Sequence, residues 1–282
     1  MMRVMLVPNG LYASAVDDAR RLAGWLDEEG VDVVYAPSFE LGGQPDLEGL
    51  DLVVSLGGDG TLLRAAHLVG YSEIPILGLS YGHLGFLTYD DAGGDVCAAV
   101  GAALAGELHP SRRATLEVAL YGTDGAGNEE ERRAFALNEV VLARGGSGKM
   151  VEFDVRANGC FIDHLRGDGF VVATATGSTG YALSAGGPIV TPSFSGLVCV
   201  PVAPHTITAR AFLTSPSDVV ELAVSDERSS DRCVFADGEP LAPDLLVDRL
   251  EVVRGPGDVV LLTGDSDDFY GSVSRVFYGK VH

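Results

Sequence analysis

The sequence predicts two domains, a parallel α/β domain followed by an all-β, sandwich-like domain. Up to residue 108, short apolar runs alternate with segments of helical periodicity. After His109-Pro110, apolar and polar residues alternate over many short runs. The first pattern is typical of a parallel sheet covered by helices, and the second is typical of antiparallel sheets. The chain has 282 residues, of which 46% are hydrophobic, so it is long enough for both domains.

The N-terminal domain, residues 1–108, is predicted to be Rossmann-like, with helices on both faces of its sheet. Its predicted helices run from Ser14 up to Gly30, from Thr61 up to Gly70, and over about 95–105. Its predicted strands are residues 3–7, 31–35, 52–56 and 75–79.

The second domain is predicted to span residues 109–264 and to contain little helix beyond a short one after Thr179. A helix-like tail, residues 265–282, is expected to pack back on the N-terminal domain. The predicted strands are residues 116–121, 135–143, 151–156, 169–173, 197–202, 219–224, 250–253 and 259–262.

The charge of the chain is strongly negative. Asp and Glu total 40 and Lys and Arg total 19, which gives a net charge of −21. This balance argues against a nucleic-acid surface. It is typical of the solvated surface of a protein from a salt-rich cytoplasm, where ions screen self-repulsion, although an ordinary acidic cytosolic protein remains an alternative.

The apolar runs, the N-terminus and the cysteine spacing indicate the compartment of the protein and the state of its cysteines. The chain has no apolar run of the length that a membrane span needs and no leader-like N-terminus, so we expect a cytoplasmic protein without a membrane partner. The spacing of the 4 cysteines indicates neither a disulfide framework nor a zinc site.

A glycine turn follows the apolar run that ends at Leu56. The segment Gly57-Gly58-Asp59-Gly60 separates this predicted strand from a helix that starts near Thr61. Glycines let a ligand approach the backbone closely, and a helix N-terminus offers free N–H groups, so this turn suits a phosphate. A carboxylate at such a place repels phosphate, which favours a catalytic role for Asp59. The alternative is that Asp59 only caps the helix.

Three further segments carry candidate functional groups. Asn138 and Glu139 stand side by side in an apolar strand, with a turn and a solvated carboxylate as the alternative. The segment from Arg166 to residue 190 contains two hydroxyl-rich glycine turns, which suit a flat polar ligand or form an ordinary loop. His205 follows a strand, and a lone histidine is more often structural than catalytic.

The ordered motifs resemble those of the NAD kinase family over nearly the whole chain. These motifs are GGDGTLL, GHLGFL, LNEVV, RGDGFVVATATGSTGYALSAGGPIV, PHT and ADGEP. Phosphofructokinases and the diacylglycerol and sphingosine kinases carry similar glycine turns, but the long block is specific to the family. The resemblance implies transfer of a phosphoryl group from ATP, or from polyphosphate, to the 2′-hydroxyl of the adenosine ribose of NAD. It also implies Mg²⁺ or another divalent cation with the ATP, and a homo-oligomer, dimer or tetramer, in which a neighbouring subunit supplies part of the NAD site.

The resemblance also implies roles for individual residues. Asp59 corresponds to the general base at the ribose. Asn138 and Glu139 correspond to the pair that holds the adenosine moiety, and Phe86 to an aromatic residue of the adenine pocket. Asp168 corresponds to the carboxylate at the nicotinamide end, and His205 to a residue beside the ligand. The other expected substrate-binding residues are Gly58, Gly60, Thr61, Arg64, Arg166, Thr176, Ser178, Thr179 and Tyr181. No metal ligand is assigned.

Four positions depart from the family pattern. Ala175 stands in place of a proline, Gly180 of an alanine, Ser80 of an asparagine and Ala211 of a proline. Two alternatives therefore stay open: a non-catalytic NAD(P)-binding protein, and a lipid or sugar kinase of the same superfamily. The preferred phosphoryl donor, the choice between NAD and NADH, the oligomer size and any feedback by NADP also stay open.

Overall fold

A computed structural model describes residues 1–36, 46–81, 86–88, 94–224, 231–264 and 269–279. The first four residues of the GHLGFL motif and residues 265–268 and 280–282 of the predicted C-terminal tail lie outside these ranges. The chain divides into two compact units. Unit 1 comprises Met1–Arg112 and Asp258–His282, and unit 2 comprises Arg113–Gly257.

The described residues form five α-helices and eighteen strands, named here in chain order. They are β1 (Arg3–Pro8), α1 (Ala13–Glu28), β2 (Asp32–Tyr35), β3 (Leu52–Gly57), α2 (Asp59–Val69), β4 (Ile76–Ser80), α3 (Val96–Leu104), β5 (His109–Arg113), β6 (Leu116–Asp124), β7 (Glu129–Ala136), β8 (Glu139–Arg144), β9 (Val151–Ala157), β10 (Cys160–Gly167), β11 (Gly169–Ala173), α4 (Tyr181–Ser184), β12 (Val198–Val202), β13 (Phe212–Leu213), β14 (Val220–Val224), β15 (Arg232–Ala236), β16 (Glu239–Leu241), β17 (Leu245–Arg254), β18 (Val259–Thr263) and α5 (Phe269–Tyr278).

Unit 1 is built on a sheet with the strand order β2-β1-β3-β4-β18-β5. The pairs β1–β2, β1–β3, β3–β4 and β4–β18 are parallel. All six residues of β3 are buried, as expected for a central parallel strand covered on both faces. The helices α1 and α3 pack with alternate residues of β1, β3 and β4 in one apolar core. On the other face, a Cβ added at Gly78 of β4 would meet Leu62 of α2, so helices cover both faces as predicted.

The strand at the end of the second predicted domain was assigned to the wrong sheet. Residues 259–262 were predicted to belong to the β-rich domain, whereas β18 pairs in parallel with β4, with Leu261 opposite Ile76. A short apolar run predicts a buried strand but not the sheet that it joins. The segment β5, rich in polar residues, was not predicted as a strand.

Unit 2 is a sandwich of two six-stranded sheets. Their strand orders are β10-β9-β14-β17-β6-β7 and β13-β12-β11-β8-β15-β16. Every pairing recorded within them is antiparallel. Side chains from both sheets share one core, in which the rings of Phe153 and Phe170 meet edge to face at 5.9 Å. The predicted β-sandwich is therefore confirmed.

The C-terminal tail belongs to unit 1, as predicted. Helix α5 places Phe277 against Phe86, with the ring centroids 5.3 Å apart and the rings stacked. Within the described residues, no helix has both the length and the apolar character required to cross a lipid bilayer.

Candidate functional site

The glycine turn lies at the carboxyl end of β3 and opens α2, as the sequence predicts. Gly58 is the N-cap residue, and the N–H groups of Thr61 and Leu62 donate to its carbonyl oxygen at 2.9 and 3.1 Å. A Cβ at Gly57 would lie 2.1 Å from Oγ1 of Thr61, so only glycine fits there. The Nδ2 group of Asn9 donates to the same Oγ1 at 3.1 Å. The turn is thus fixed by packing against the loop that follows β1.

A cavity of about 360 Å³ opens beside this turn. Its lining residues come from the loops that follow β1 and β3 and from α2: Asn9, Gly10, Tyr12, Gly58, Gly60, Thr61 and Arg64. Ligands of open α/β sheets bind at this carboxyl edge of the strands. Asn9, Gly10 and Tyr12 were not predicted from the sequence. A sequence signal for them existed, because the turn residues Pro8-Asn9-Gly10 end the first predicted strand. In the structure this strand pairs with β3, which places the two turns at the same edge of the sheet.

Asp59 is the first residue of α2, and its carboxylate is held by a different segment of unit 1. The backbone N–H groups of Phe86 and Leu87 donate to Oδ2 and Oδ1, at 3.2 and 3.4 Å. The side chain is half-buried. Burial raises the pKa of Asp59 above its ordinary value, and the two N–H groups oppose this rise. These bonds argue against the alternative in which Asp59 only caps its own helix.

Asn138 and Glu139 lie where β8 begins in unit 2. The carboxylate of Asp237 accepts hydrogen bonds from the backbone N–H groups of Leu137, Asn138 and Glu139, at 2.7, 2.7 and 3.0 Å. Asp237 belongs to the ADGEP motif, but no role was predicted for it from the sequence. Three consecutive N–H groups on one carboxylate hold the backbone of the Asn-Glu pair in place.

Both side chains of this pair present a polar atom without a partner. Among the described residues, Oδ1 of Asn138 and Oε2 of Glu139 are buried and accept no hydrogen bond. Burial, and secondarily the charge of Asp237, raises the pKa of Glu139 to about 7. Because buried polar atoms are nearly always satisfied, two such acceptors on consecutive residues are typical of a place where a ligand or water completes the structure.

The TGST turn packs directly on this pair. The hydroxyl of Thr174 donates to the carbonyl of Leu137 at 2.7 Å and accepts from the N–H of Gly177 at 3.1 Å. A Cβ at Gly177 would lie 2.2 Å from the carbonyl oxygen of Asn138, and one at Gly180 would lie 3.3 Å from Oε2 of Glu139. The structure therefore brings together two segments that the sequence analysis predicted separately.

The hydroxyl groups of the TGST turn and of the following Tyr181 differ in their hydrogen bonds and exposure. Ser178 is fully buried; its hydroxyl donates to the carbonyl of Ala175 at 2.6 Å and accepts from the N–H of Val190 at 3.0 Å. These bonds hold the turn in place, and the expected role of Ser178 in substrate binding stays a prediction. The hydroxyl of Thr179 donates to the carbonyl of Thr176 at 3.2 Å, whereas Tyr181 is exposed.

The remaining predicted residues lie at the other end of β11. Asp168 forms an ion pair with Nε of Arg144 at 2.8 Å, an arginine that the sequence analysis did not single out. The backbone N–H of His205 donates to the carbonyl of Arg166 at 2.7 Å. Both of these side chains are exposed. The structure thus places Arg166, Asp168 and His205 in one neighbourhood of unit 2.

A parallel α/β unit with a glycine turn and a carboxylate at the start of a helix is typical of enzymes that bind nucleotides. Comparisons with known proteins specify the family. Residues 44–92 match the ATP-NAD kinase N-terminal domain, and residues 137–263 match the ATP-NAD kinase C-terminal domain. The chain is 34% identical over 292 residues to the NAD kinase of Chlorobium limicola, covering 100% of this chain and 98% of that protein. It is 36% identical over 262 residues to the NAD kinase of Heliobacterium modesticaldum, covering 89% and 90% of the two chains.

Solved structures agree on the fold. An NAD kinase from Archaeoglobus fulgidus in complex with ATP matches with a TM-score of 0.73 and 26% identity, covering 99% of this chain and 97% of that chain. The fold is also that of yeast NADH kinase complexed with NADH, at a TM-score of 0.85 and 22% identity, covering 99% and 88%. The chain belongs to the NAD kinase family, the phosphotransferases that convert NAD to NADP. The family, the fold class and the kinase activity expected from the sequence are confirmed.

Proposed function

We propose that this family member phosphorylates the 2′-hydroxyl of the adenosine ribose of NAD, with ATP as phosphoryl donor and Asp59 as general base. One observation carries the assignment of the base. The half-buried carboxylate of Asp59 is held by two backbone N–H groups, next to a cavity at the glycine turn. The ATP complex of the Archaeoglobus fulgidus relative supports the choice of donor.

The chemistry asks for a proton acceptor at the ribose. A sugar hydroxyl is a poor nucleophile until its proton is removed. In the proposed step the ribose oxygen forms a bond to the terminal phosphorus of ATP, the bond from that phosphorus to the bridging oxygen breaks, and ADP leaves with the electron pair. The proton passes to Asp59. Burial raises the pKa of this carboxyl, which makes it a stronger base than an exposed aspartate.

The cavity beside the turn suits the phosphates of the donor. Its walls include the backbone of Gly58, Gly60 and Thr61 at the start of α2, and the guanidinium-bearing Arg64. A helix N-terminus and an arginine both stabilise phosphate oxygens. We therefore assign the donor phosphates to unit 1.

The unpartnered acceptors in unit 2 suit the adenosine moiety. Oδ1 of Asn138 and Oε2 of Glu139 would accept hydrogen bonds from hydroxyl or amino groups of the nucleoside. Thr176, Thr179 and Tyr181 belong to the turn that packs on this pair through Gly177 and Gly180. We assign the nicotinamide end to Arg166, Asp168 and His205. Phe86, which stacks on Phe277, is proposed to line the adenine pocket.

We expect a divalent cation to bind together with the nucleotide rather than at a site made of protein side chains alone. Within the described ranges, no group of three or more His, Cys, Asp or Glu side chains could hold a metal ion. Magnesium usually keeps several waters and binds substrate phosphates, so the phosphates of the donor would hold the cation. When bound, Mg²⁺ or another divalent cation neutralises charge on the phosphate oxygens.

We also propose that copies of the chain assemble into a homo-oligomer, a dimer or tetramer. The strand β10 lies at the edge of its sheet and exposes the large apolar side chains of Phe161 and Ile162. Exposed apolar groups on an unpaired strand edge favour contacts with another chain. We further propose that the neighbouring copy contributes to the NAD site.

The experiment that tests the function is an assay of the full chain with NAD or NADH and a panel of donors: ATP, other nucleoside triphosphates and polyphosphate, each with Mg²⁺. We expect NADP to form from NAD and ATP. NAD binding without turnover with any donor would instead favour the non-catalytic NAD(P)-binding protein. Thermal stabilisation by sphingoid bases or sugar phosphates but not by NAD would favour a lipid or sugar kinase.

A further inference from the structure

Tyr81 is fixed at two points just after β4. Its backbone N–H donates to the carbonyl of Gly57 at 2.9 Å, directly before the glycine turn. Its hydroxyl donates to Oδ2 of Asp18 on α1 at 2.6 Å, the length of a strong, charge-assisted hydrogen bond. The ring is half-buried against the core of unit 1, and burial with the charge of Asp18 raises the pKa of Tyr81.

Asp18 is itself anchored to a second helix. It forms an ion pair with Arg21 at 2.9 Å, and Arg21 lies 3.5 Å from Asp95. Asp95 is the N-cap residue of α3, and its side chain accepts from the N–H of Cys97. The hydroxyl of Tyr81 therefore ties the end of β4 to a network that spans α1 and α3.

The next described residues after Tyr81 supply the two N–H groups that hold Asp59. These groups belong to Phe86 and Leu87. The following residue, Thr88, packs back on β4, since its Cα lies 3.5 Å from the Cβ position of Gly78. Along the chain, Phe86 and Leu87 thus lie between Tyr81, which is held by Gly57 and Asp18, and Thr88, which packs against Gly78.

We propose that Tyr81 is a positioning residue for the phosphoryl transfer: its bond to Asp18 holds in place the segment whose N–H groups orient Asp59. The proposal rests on Asp59 being the base, as proposed above. It deepens that function, because it assigns a role to two residues, Tyr81 and Asp18, that lie outside the substrate-binding set. The stacking of Phe86 on Phe277 also supports the segment, so loss of the Tyr81 hydroxyl loosens it without releasing it.

The test is Tyr81→Phe in the full chain, which keeps the packed ring and removes only the hydroxyl. We expect kcat to fall roughly three- to tenfold, because small displacements of a catalytic group are costly, while KM for NAD and for ATP stays within about twofold. We also expect the acidic limb of the kcat–pH profile to move to higher pH, since weaker N–H bonds no longer oppose the effect of burial on the pKa of Asp59.

Tyr35→Phe is the matched control. Its hydroxyl also donates to α1, to the carbonyl of Ala19 at 3.2 Å, but from β2 and away from the turn. This variant should keep the wild-type kcat and pH profile. Asp18→Ala should reproduce the Tyr81→Phe changes, and the double variant should be no worse than either single one.

Two results would overturn the positioning role: a Tyr81→Phe enzyme indistinguishable from Tyr35→Phe, or a fall in kcat with an unmoved acidic limb. Asp59→Asn measured alongside separates the two proposals. If that variant keeps full activity, the assignment of the base is wrong; if it is inactive while Tyr81→Phe is normal, only the role of Tyr81 is wrong.

Discussion

Glu139 combines deep burial with an unpartnered carboxylate oxygen in the described part of the chain. Its side chain is 8% exposed, and Asp237, the carboxylate that acts on it, is already committed to three backbone N–H groups. A carboxylate left in such surroundings favours its neutral form. Burial of the unpartnered oxygen destabilises the free protein. The same burial favours binding, because a ligand that donates a hydrogen bond to Oε2 removes this free-energy penalty.

This burial predicts a specific pH dependence of stability. The pKa of Glu139 is about 7 in the folded chain against 4.5 for the ordinary group. The unfolded state therefore loses its proton first, and the free energy of unfolding falls as the pH rises from about 4.5 through 7, by roughly 3 kcal/mol at most. Glu139→Gln has no carboxyl group to titrate, so its free energy of unfolding should not fall in this way. The free energy of unfolding of the variant minus that of wild type should therefore be smallest at pH 4.5 and largest at pH 8.

Denaturant unfolding without nucleotide at several pH values measures this difference. The control is Glu129→Gln, an exposed glutamate of unit 2, for which no such pH-dependent gain is expected. A Glu139→Gln difference that is the same at pH 4.5 and pH 8 would contradict the neutral, buried acid.

Candidate residues that belong to a sequence motif could be predicted from the sequence. The residues that hold them in position could not be predicted. Asp59 and the Asn138-Glu139 pair follow from the residue types and their order. Arg144 and Asp237 act through pairings with positions 24 and 98 to 100 residues away in the chain. Such partners depend on how strands align, which a local pattern does not contain.

At the scale of elements, the TGST turn is positioned by backbone contact with the Asn-Glu pair. The Cβ of an alanine at Gly177 would lie 2.2 Å from the carbonyl oxygen and 2.6 Å from the carbonyl carbon of Asn138. Both are backbone atoms, which cannot rotate away as a side chain can. The glycine is thus required by close packing of two segments.

We therefore predict that Gly177→Ala lowers the free energy of unfolding by roughly 2 to 3 kcal/mol and raises KM for NAD, because the strand that carries Asn138 must shift. Gly125→Ala is the matched control, since a Cβ there meets nothing within 4 Å. Denaturant unfolding and steady-state kinetics measure both effects. Equal behaviour of the two variants would show that the close approach does not constrain the turn.

Element type was predicted better than sheet membership. Strand β3, the glycine turn and α2 follow from the buried apolar run and the glycines. By contrast, β18 is as apolar as a strand of either unit, and it joins the parallel sheet through a pairing with β4, more than 180 residues earlier. Polar β5 has no local apolar signal at all.

At the scale of the whole molecule, the two units carry different functional groups. Unit 1 carries the turn, the cavity and Asp59, and unit 2 carries the unpartnered acceptors of Asn138 and Glu139. The net charge of −21 is spread over a chain of normal apolar content. That this charge suits a salt-rich environment stays a prediction.

The most direct measurement is the rate of NADP formation by Asp59→Asn at saturating NAD and ATP, beside wild type and the exposed-carboxylate control Asp17→Asn. The amide keeps the size of the side chain but cannot accept the proton of the ribose hydroxyl. We predict that kcat falls at least about a hundredfold in Asp59→Asn, the scale of a lost general base, and stays at the wild-type level in Asp17→Asn. An Asp59→Asn enzyme that forms NADP as fast as wild type would contradict the account.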